Sequence, residues 1–526
     1  MLATPWSWAR HTAFRELTSW CSLTSLPLLK GDKSKIMSDS ISAKNEEVSK
    51  NNQSEHIFHV MPPATGGLSK DVPIITSKEV IYQKTESADL VEPEAPQEKK
   101  KESTIFGASF MLTNLCLGTT IFTFAVRAKA FGLVWFLIIC CVVAVVNYWS
   151  IMRCVIASSR FPGKDDYSEI TEIILGKKMR VVLNIFIIVY SYGFCMCYIA
   201  LIYPLFGRFI QSAGITNKDY INYQDFYENV WGKAYIKYPI FVGIAFGLSL
   251  MCLIKDINKL NFSAYIGVVA CIYGLFVVMV ECNSYYNYYK ETRYVEEDES
   301  THPNWIDLGK AFTKKLDFFK GISTLFAAYA CHPGIFPVYA GFKMQEGKGL
   351  KKMKISTFLG TLITTILHII SITCAFLTDP ITPEDLIVYR QKKDNGRDIA
   401  MVIARLFVGI SLIFTFPGYY FTLRLSIANS FTGGIISNKF NYIITFCSCF
   451  GCALVAALYD KILNYLNYIG GFLSVFICYL NPCLLCIYSS GKPLTYWKNL
   501  LELFVAILLS VIGIIAGILT IIDDVS

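Results

Sequence analysis

Charged side chains are scarce in this sequence. Asp, Glu, Lys and Arg make up 17% of its 526 residues against 54% hydrophobic, and the charges gather into separate stretches. A water-soluble domain spreads charge over its whole surface, so that class is excluded. Histidine is also rare, with six residues, and no loop carries a nucleophile beside a base or a metal-ligand spacing. Nothing here argues for an enzyme. Repeats of solenoid length are absent as well.

What is present is apolar sequence in long runs. From about residue 105 onward, eleven runs reach or approach 18 residues, near 105–126, 131–156, 181–212, 239–255, 261–281, 318–341, 353–377, 399–423, 441–459, 463–488 and 495–522. A helix of that length crosses a hydrocarbon core of roughly 30 Å. The fold class expected is therefore an all-α polytopic membrane protein with about eleven transmembrane helices. The net charge of +8 does not point to nucleic acid, because the basic residues sit mostly in loops. With the N-terminus placed in the cytoplasm, the inner loops hold 16 Lys and Arg against 6 Asp and Glu, and the outer loops and C-terminal tail hold 15 against 18. That bias orients the N-terminus inside. Most of the 18 Cys lie within the runs, where Cys behaves as a small apolar residue. Among the outer loops only Cys282 stands near a membrane face, with no evident disulfide partner.

Residues 1–102 differ in kind, being polar, rich in Ser, Lys, Glu and Pro, and without periodicity. Such a segment cannot bury a core and reads as a disordered cytoplasmic tail, with the transmembrane domain over 103–526. Within the tail, residues 1–36 carry Trp6, Trp8, Trp20, Arg10 and Arg15 with few acids. They read either as an extension ahead of an alternative start at Met37 or as a targeting segment.

Two runs contain helix breakers near their middles. The first holds Asn114-Leu-Cys-Leu-Gly118-Thr119-Thr120, and the sixth holds Cys331-His332-Pro333-Gly334 followed by Pro337. Interrupted helices in corresponding positions of two halves point to a solute site, because lipid cannot satisfy the freed backbone groups. Amides of Gly118, Thr119 and Thr120 suit a carboxylate. Carbonyls freed in the sixth run suit an ammonium. Asn114 offers an oxygen to a small hard cation, as does Thr415, which lies two residues before Pro417 in the eighth run. Each feature also has a purely structural reading: a small-residue packing face, a proline kink, a Thr hydroxyl bonded to its own helix. His332 reads as a proton carrier or as a structural imidazole bonded to a freed carbonyl. Arg405, Glu502, Glu281 and Lys255 lie near run ends, where snorkelling to the interface is expected. His368 stands isolated in the seventh run, with no role assigned.

The run CHPGIFPVYAGFK at 331–343 resembles the sixth helix of the amino acid/auxin permease superfamily, closest to its sodium-coupled neutral amino acid transporter branch. NLCLGTTIFTFAVRAKAFG at 114–132 is similar to the first helix, and RLFVGISLIFTFPGYYFTLR at 405–424 to the eighth, including Thr415, Pro417, Phe421 and Arg424. CLIKDINKL at 252–260 is similar to the loop before the fifth. Thr120 stands where the pattern has a second Gly, Ala125 where many members have Pro, and the outer cysteine pair is missing. The resemblance implies an eleven-span carrier with a five-plus-five inverted repeat whose helices 1 and 6 are broken. It also implies sodium ligands at Asn114 and Thr415, and substrate contacts at Gly118, Thr119, Thr120, Ile121, Cys331 and His332.

The expected function is secondary active transport of neutral amino acids across a membrane, driven by a sodium gradient. The bilayer, the amino acid and the ion are then the only partners, and no cofactor is needed. Two alternatives stay open: proton coupling in the same fold, and an amino acid sensor that signals through its N-terminal tail. The membrane is either the plasma membrane or a vacuolar or lysosomal one.

Overall fold

The computed structural model describes residues 104–118, 120–124, 128, 132–214, 223–254, 261–292, 317–343, 348–378, 386–391, 398–459, 465 and 468–525. The 1–102 tail with its 1–36 segment, Thr119, Ala125 and the 255–260 loop with Lys255 lie outside the described residues.

The described residues are helical throughout, with no strand among them. In chain order the helices are α1 (Ile105–Leu117), α2 (Leu133–Ser159), α3 (Tyr167–Leu175), α4 (Lys177–Ser212), α5 (Ala234–Cys252), α6 (Asn261–Val280) and α7 (Cys282–Thr292). They continue as α8 (Asp317–Ala328), α9 (His332–Lys343), α10 (Gly349–Thr378), α11 (Ile399–Phe431), α12 (Asn438–Leu458), α13 (Ile469–Ser489) and α14 (Trp497–Val525). Nine of them are long and apolar enough to span a membrane: α2, α4, α5, α6, α10, α11, α12, α13 and α14. The first and sixth apolar runs are the interrupted ones. α1 stops after 13 residues, and the sixth run divides into α8 and α9. The chain is a polytopic α-helical membrane protein.

Local chemistry sets the helix starts. Thr104 accepts from the Gly107 amide at 3.0 Å to open α1, Asp166 caps α3, and Asp398 accepts from the Met401 amide at 3.1 Å to open α11. Each cap satisfies an amide that the helix cannot pair internally. Packing then decides which faces are inside. α4 and α11 share the largest contact, α6 lies on α11, and α10 lies on α1 and α2. α14 turns Phe504, Ile507, Val511, Ile514, Ile518 and Ile522 outward, a stripe suited only to lipid.

Two of the charges expected to snorkel do not. Arg405 is buried, donating to the Val388 carbonyl at 3.0 Å, the Arg390 carbonyl at 2.5 Å and the Ser212 hydroxyl. Glu502 of α14 is paired with Arg153 of α2 at 3.2 Å. A nearby partner makes burial cheaper than extension to the interface, and run-end position alone cannot reveal one. Cys282 likewise has neighbours that its loop position did not suggest. Its thiol lies 3.2 Å from Thr378 Oγ1 and 3.7 Å from the Cys374 carbonyl, beside the Cys374 thiol.

Candidate functional site

The break in α1 falls at Gly118, whose φ of 29° with ψ of −151° lies outside the range that side-chain-bearing residues favour. The backbone resumes as a single 3-10 turn, Thr120–Phe122. A Cβ at position 118 would stand 2.6 Å from the Tyr198 hydroxyl, so glycine is needed for conformation and for close approach alike. In the sixth run the break lies one step earlier than the proline cluster suggests. α8 ends at Ala328, residues 329–331 are non-helical, and His332-Pro333 opens α9. Proline near a helix start loses an N–H that has no intrahelical partner anyway, so Pro333 restarts the helix rather than breaking it.

The two breaks meet. Leu115 of α1 sits against α9 and α11, where a Cβ on Gly334 would come within 2.5 Å and one on Gly418 within 3.0 Å of it. The Cys116 thiol donates to the Tyr329 carbonyl at 3.8 Å and lies against the Cys331 thiol. The freed carbonyls, expected to be open to an ammonium, are taken by side chains. Tyr419 of α11 donates to the Leu115 carbonyl at 2.5 Å, Tyr190 of α4 to the Ala330 carbonyl, and Ser371 of α10 to the Ile121 carbonyl. The Thr120 carbonyl accepts from the Thr123 hydroxyl at 2.8 Å and from its amide at 3.0 Å. A buried carbonyl without a partner is costly, so these hydroxyls hold the interrupted backbone in place.

Tyr198 differs from them: its hydroxyl is buried, closes on Gly118, and has no hydrogen-bonding partner among the described residues. Around it, Phe194 stacks on Tyr419 with centroids 4.6 Å apart, and Tyr190 and Tyr198 flank that pair. The sequence reading missed these rings. Their signal is the 190, 194, 198 spacing, which puts three aromatics on one face of α4.

The other expected contacts separate. Ile121 and Thr120 belong to the turn and are buried. Cys331 bridges to α1 through Cys116. His332 contributes backbone to the break, but its ring turns to α2 and α13. There Nε2 lies 3.1 Å from the Ser150 hydroxyl, and the ring faces Tyr479 at 6.4 Å. Its partner is thus a hydroxyl and not a freed carbonyl.

Asn114 and Thr415 come together although 301 residues apart. Thr415 Oγ1 lies 3.0 Å from Asn114 Oδ1 and 2.8 Å from the Ser411 carbonyl one turn back. A hydroxyl has one proton, and both contacts are to acceptors. Thr415 Oγ1 therefore hydrogen-bonds one of the two oxygens and lies in contact with the other. Gly267 of α6 closes the group: a Cβ there would be 2.6 Å from Asn114 Oδ1 and 3.3 Å from Thr415 Oγ1. The Gly267 carbonyl accepts from Ser411 Oγ at 2.7 Å.

Comparison with known proteins identifies the family. The profile of the transmembrane amino acid transporter protein family matches residues 101–523. Among individual proteins, the chain is similar to amino acid transporter AVT6E of Arabidopsis thaliana, 24% identical over 61% of this chain and 62% of that one. It is similar to sodium-coupled neutral amino acid transporter 7 of Danio rerio, 20% identical over 64% of this chain and 67% of that one. It is also similar to vacuolar amino acid transporter 2 of Saccharomyces cerevisiae, 23% identical over 63% of each chain. The matched stretch thus spans about two thirds of these relatives or slightly less. The family is one of transporters, not enzymes. With the match running through both helix breaks and the Asn114–Thr415 contact, the chain belongs to the transmembrane amino acid transporter protein family.

Proposed function

We propose that this protein is a secondary active transporter of neutral amino acids, driven by a sodium gradient. The observation that carries the reading is the meeting of two interrupted helices whose carbonyls are held by exchangeable hydroxyls of α4 and α11. The substrate carboxylate sits on amides between Gly118 and Ile121, with Thr119 among them. The ammonium takes the Ala330 and Tyr329 carbonyls as Tyr190 and Cys116 release them. Such exchange replaces one hydrogen bond by a charge-assisted one, which favours the solute.

Asn114 Oδ1 and Thr415 Oγ1 hold the sodium ion as cargo, with Gly267 keeping the space open. The names of the Danio and yeast relatives, sodium-coupled in one case and vacuolar in the other, leave both coupling and membrane to experiment. Asn114→Ala and Thr415→Ala are expected to raise the sodium concentration for half-maximal uptake while the fold persists. Unchanged sodium dependence in both variants removes the pair from the ion site, and uptake that follows a proton gradient alone replaces sodium by protons.

A further inference from the structure

α10 runs alongside α1 up to the break, beyond which the order of contacts reverses, Ser371 meeting the Ile121 carbonyl and His368 the later Phe124. The Ser109 hydroxyl meets the Ser356 carbonyl at 3.2 Å, the Thr113 hydroxyl meets the Gly360 carbonyl at 3.3 Å, and the ring of Phe124 meets that of His368 at 5.0 Å. Gly118 lies midway between Thr113 and Phe124. One turn beyond Gly360 and one turn before His368 is Thr364, so the register puts Thr364 and His368 level with the break.

Both are fully buried, and Thr364 Oγ1, His368 Nδ1 and His368 Nε2 all lack a hydrogen-bonding partner among the described residues. Their neighbour Thr365 reaches the other interrupted run, its hydroxyl 3.0 Å from that of Tyr329, whose ring packs on His368 at 5.0 Å. A threonine inside a membrane helix ordinarily bonds back to its own turn, and a buried imidazole ordinarily finds at least one partner. Three unmet atoms at one level of one helix, beside both breaks, mark a place where something polar binds.

We propose that Thr364 and His368 form a polar subsite for the side chain of the transported amino acid, favouring neutral groups that both donate and accept hydrogen bonds, namely a carboxamide or hydroxyl. This rests on the transport reading above. The chemistry excludes a charged group: the rings beside His368 are those of Phe124 and Tyr329, and the Tyr329 hydroxyl is engaged with Thr365 and lies 3.5 Å from the Cys140 thiol. Among the described residues at this place, no acid or base would balance a buried charge. A neutral imidazole has one donor and one acceptor, as a carboxamide does, so the two are complementary.

His368→Phe keeps the ring and removes both unmet nitrogens, and His368→Gln keeps a donor and an acceptor. Uptake of glutamine and alanine by reconstituted wild-type protein and both variants, with thermal unfolding of each in detergent, tests the proposal. A site built to hydrogen-bond a substrate group discriminates by roughly tenfold or more against its loss. The glutamine-to-alanine ratio of kcat/KM is therefore expected to fall by about that factor in His368→Phe and to recover in His368→Gln. An unchanged ratio in His368→Phe overturns the subsite and leaves the cluster holding ordered water only. Equal loss of both substrates in a folded His368→Phe also overturns it. Wild-type protein that transports neither amino acid fails the transport reading itself, a different result from either.

Discussion

Replacing Gly267 by alanine bears most sharply on ion coupling. An added methyl would stand 2.6 Å from Asn114 Oδ1 and 3.3 Å from Thr415 Oγ1. An ordinary carbon–oxygen contact is about 3.3 Å or longer, so the Asn114 oxygen must retreat by roughly 0.7 Å. Without sodium the amide can rotate away at little cost, because the clash is with the end of a side chain. With sodium bound the oxygen is fixed by coordination, and the overpacking of about 1–3 kcal/mol falls on that state. The gain in helix propensity from glycine to alanine, up to about 1 kcal/mol, applies to both states and cancels. The expected result is a rise of roughly 5- to 150-fold in the sodium concentration for half-maximal uptake, with little loss of thermal stability. Gly243→Ala on α5 is the control, since a Cβ there meets nothing within 4 Å. A Gly267→Ala protein that folds and keeps the wild-type sodium dependence would refute the assignment of Asn114 and Thr415 to the ion.

Four further outcomes follow from the geometry. Gly118→Ala should lower both Tm and amino acid affinity, because a left-handed conformation costs a side-chain-bearing residue about 1–2 kcal/mol and the methyl collides with Tyr198. Tyr198→Phe should keep or raise Tm, its hydroxyl having no partner among the described residues, and weaken only substrate binding. Arg424→Lys should destabilise by about 2–4 kcal/mol, visible in thermal unfolding. The guanidinium spans the Cys252 carbonyl at 2.8 Å, the Ile254 carbonyl at 2.9 Å and Asn441 Oδ1 at 2.9 Å, and an ammonium cannot reach all three. Cys282, beside the Cys374 thiol and the Thr378 hydroxyl with the Arg390 charge nearby, has its thiol pKa drawn below the ordinary thiol range. Its alkylation rate should therefore rise with pH through a midpoint below that of an ordinary thiol, and an unshifted midpoint would contradict that environment.

Hydropathy alone locates the spans, because a bilayer demands a length of apolar sequence that few soluble segments imitate. The breaks were legible for the same reason: Gly118 and the His332-Pro333-Gly334 cluster stand out against apolar surroundings. Their fine position was not, since proline both stops one helix and starts another, and only the structure separates Ala328 from His332. The approach of Asn114 to Thr415 was anticipated from family resemblance, not from spacing. Nothing local predicts a contact across 301 residues. The hydroxyls that hold the broken backbone, from Tyr190, Ser371 and Tyr419, were invisible because their roles depend on which helix lies beside which. Arg405 and Glu502 were misread on the same account, for position in a run says nothing about a partner on another helix. His368 had no role from sequence. Its meaning emerged only when α10 was set in register with α1.

The central claim is that the two interrupted helices form a site through which an ion gradient moves an amino acid. Purified protein in proteoliposomes, given a panel of radiolabelled amino acids with sodium and proton gradients imposed one at a time, tests it most directly. The account predicts accumulation of neutral amino acids above equilibrium under an inward sodium gradient and none when sodium is equal on both sides. Failure of every amino acid to accumulate under either gradient would contradict it.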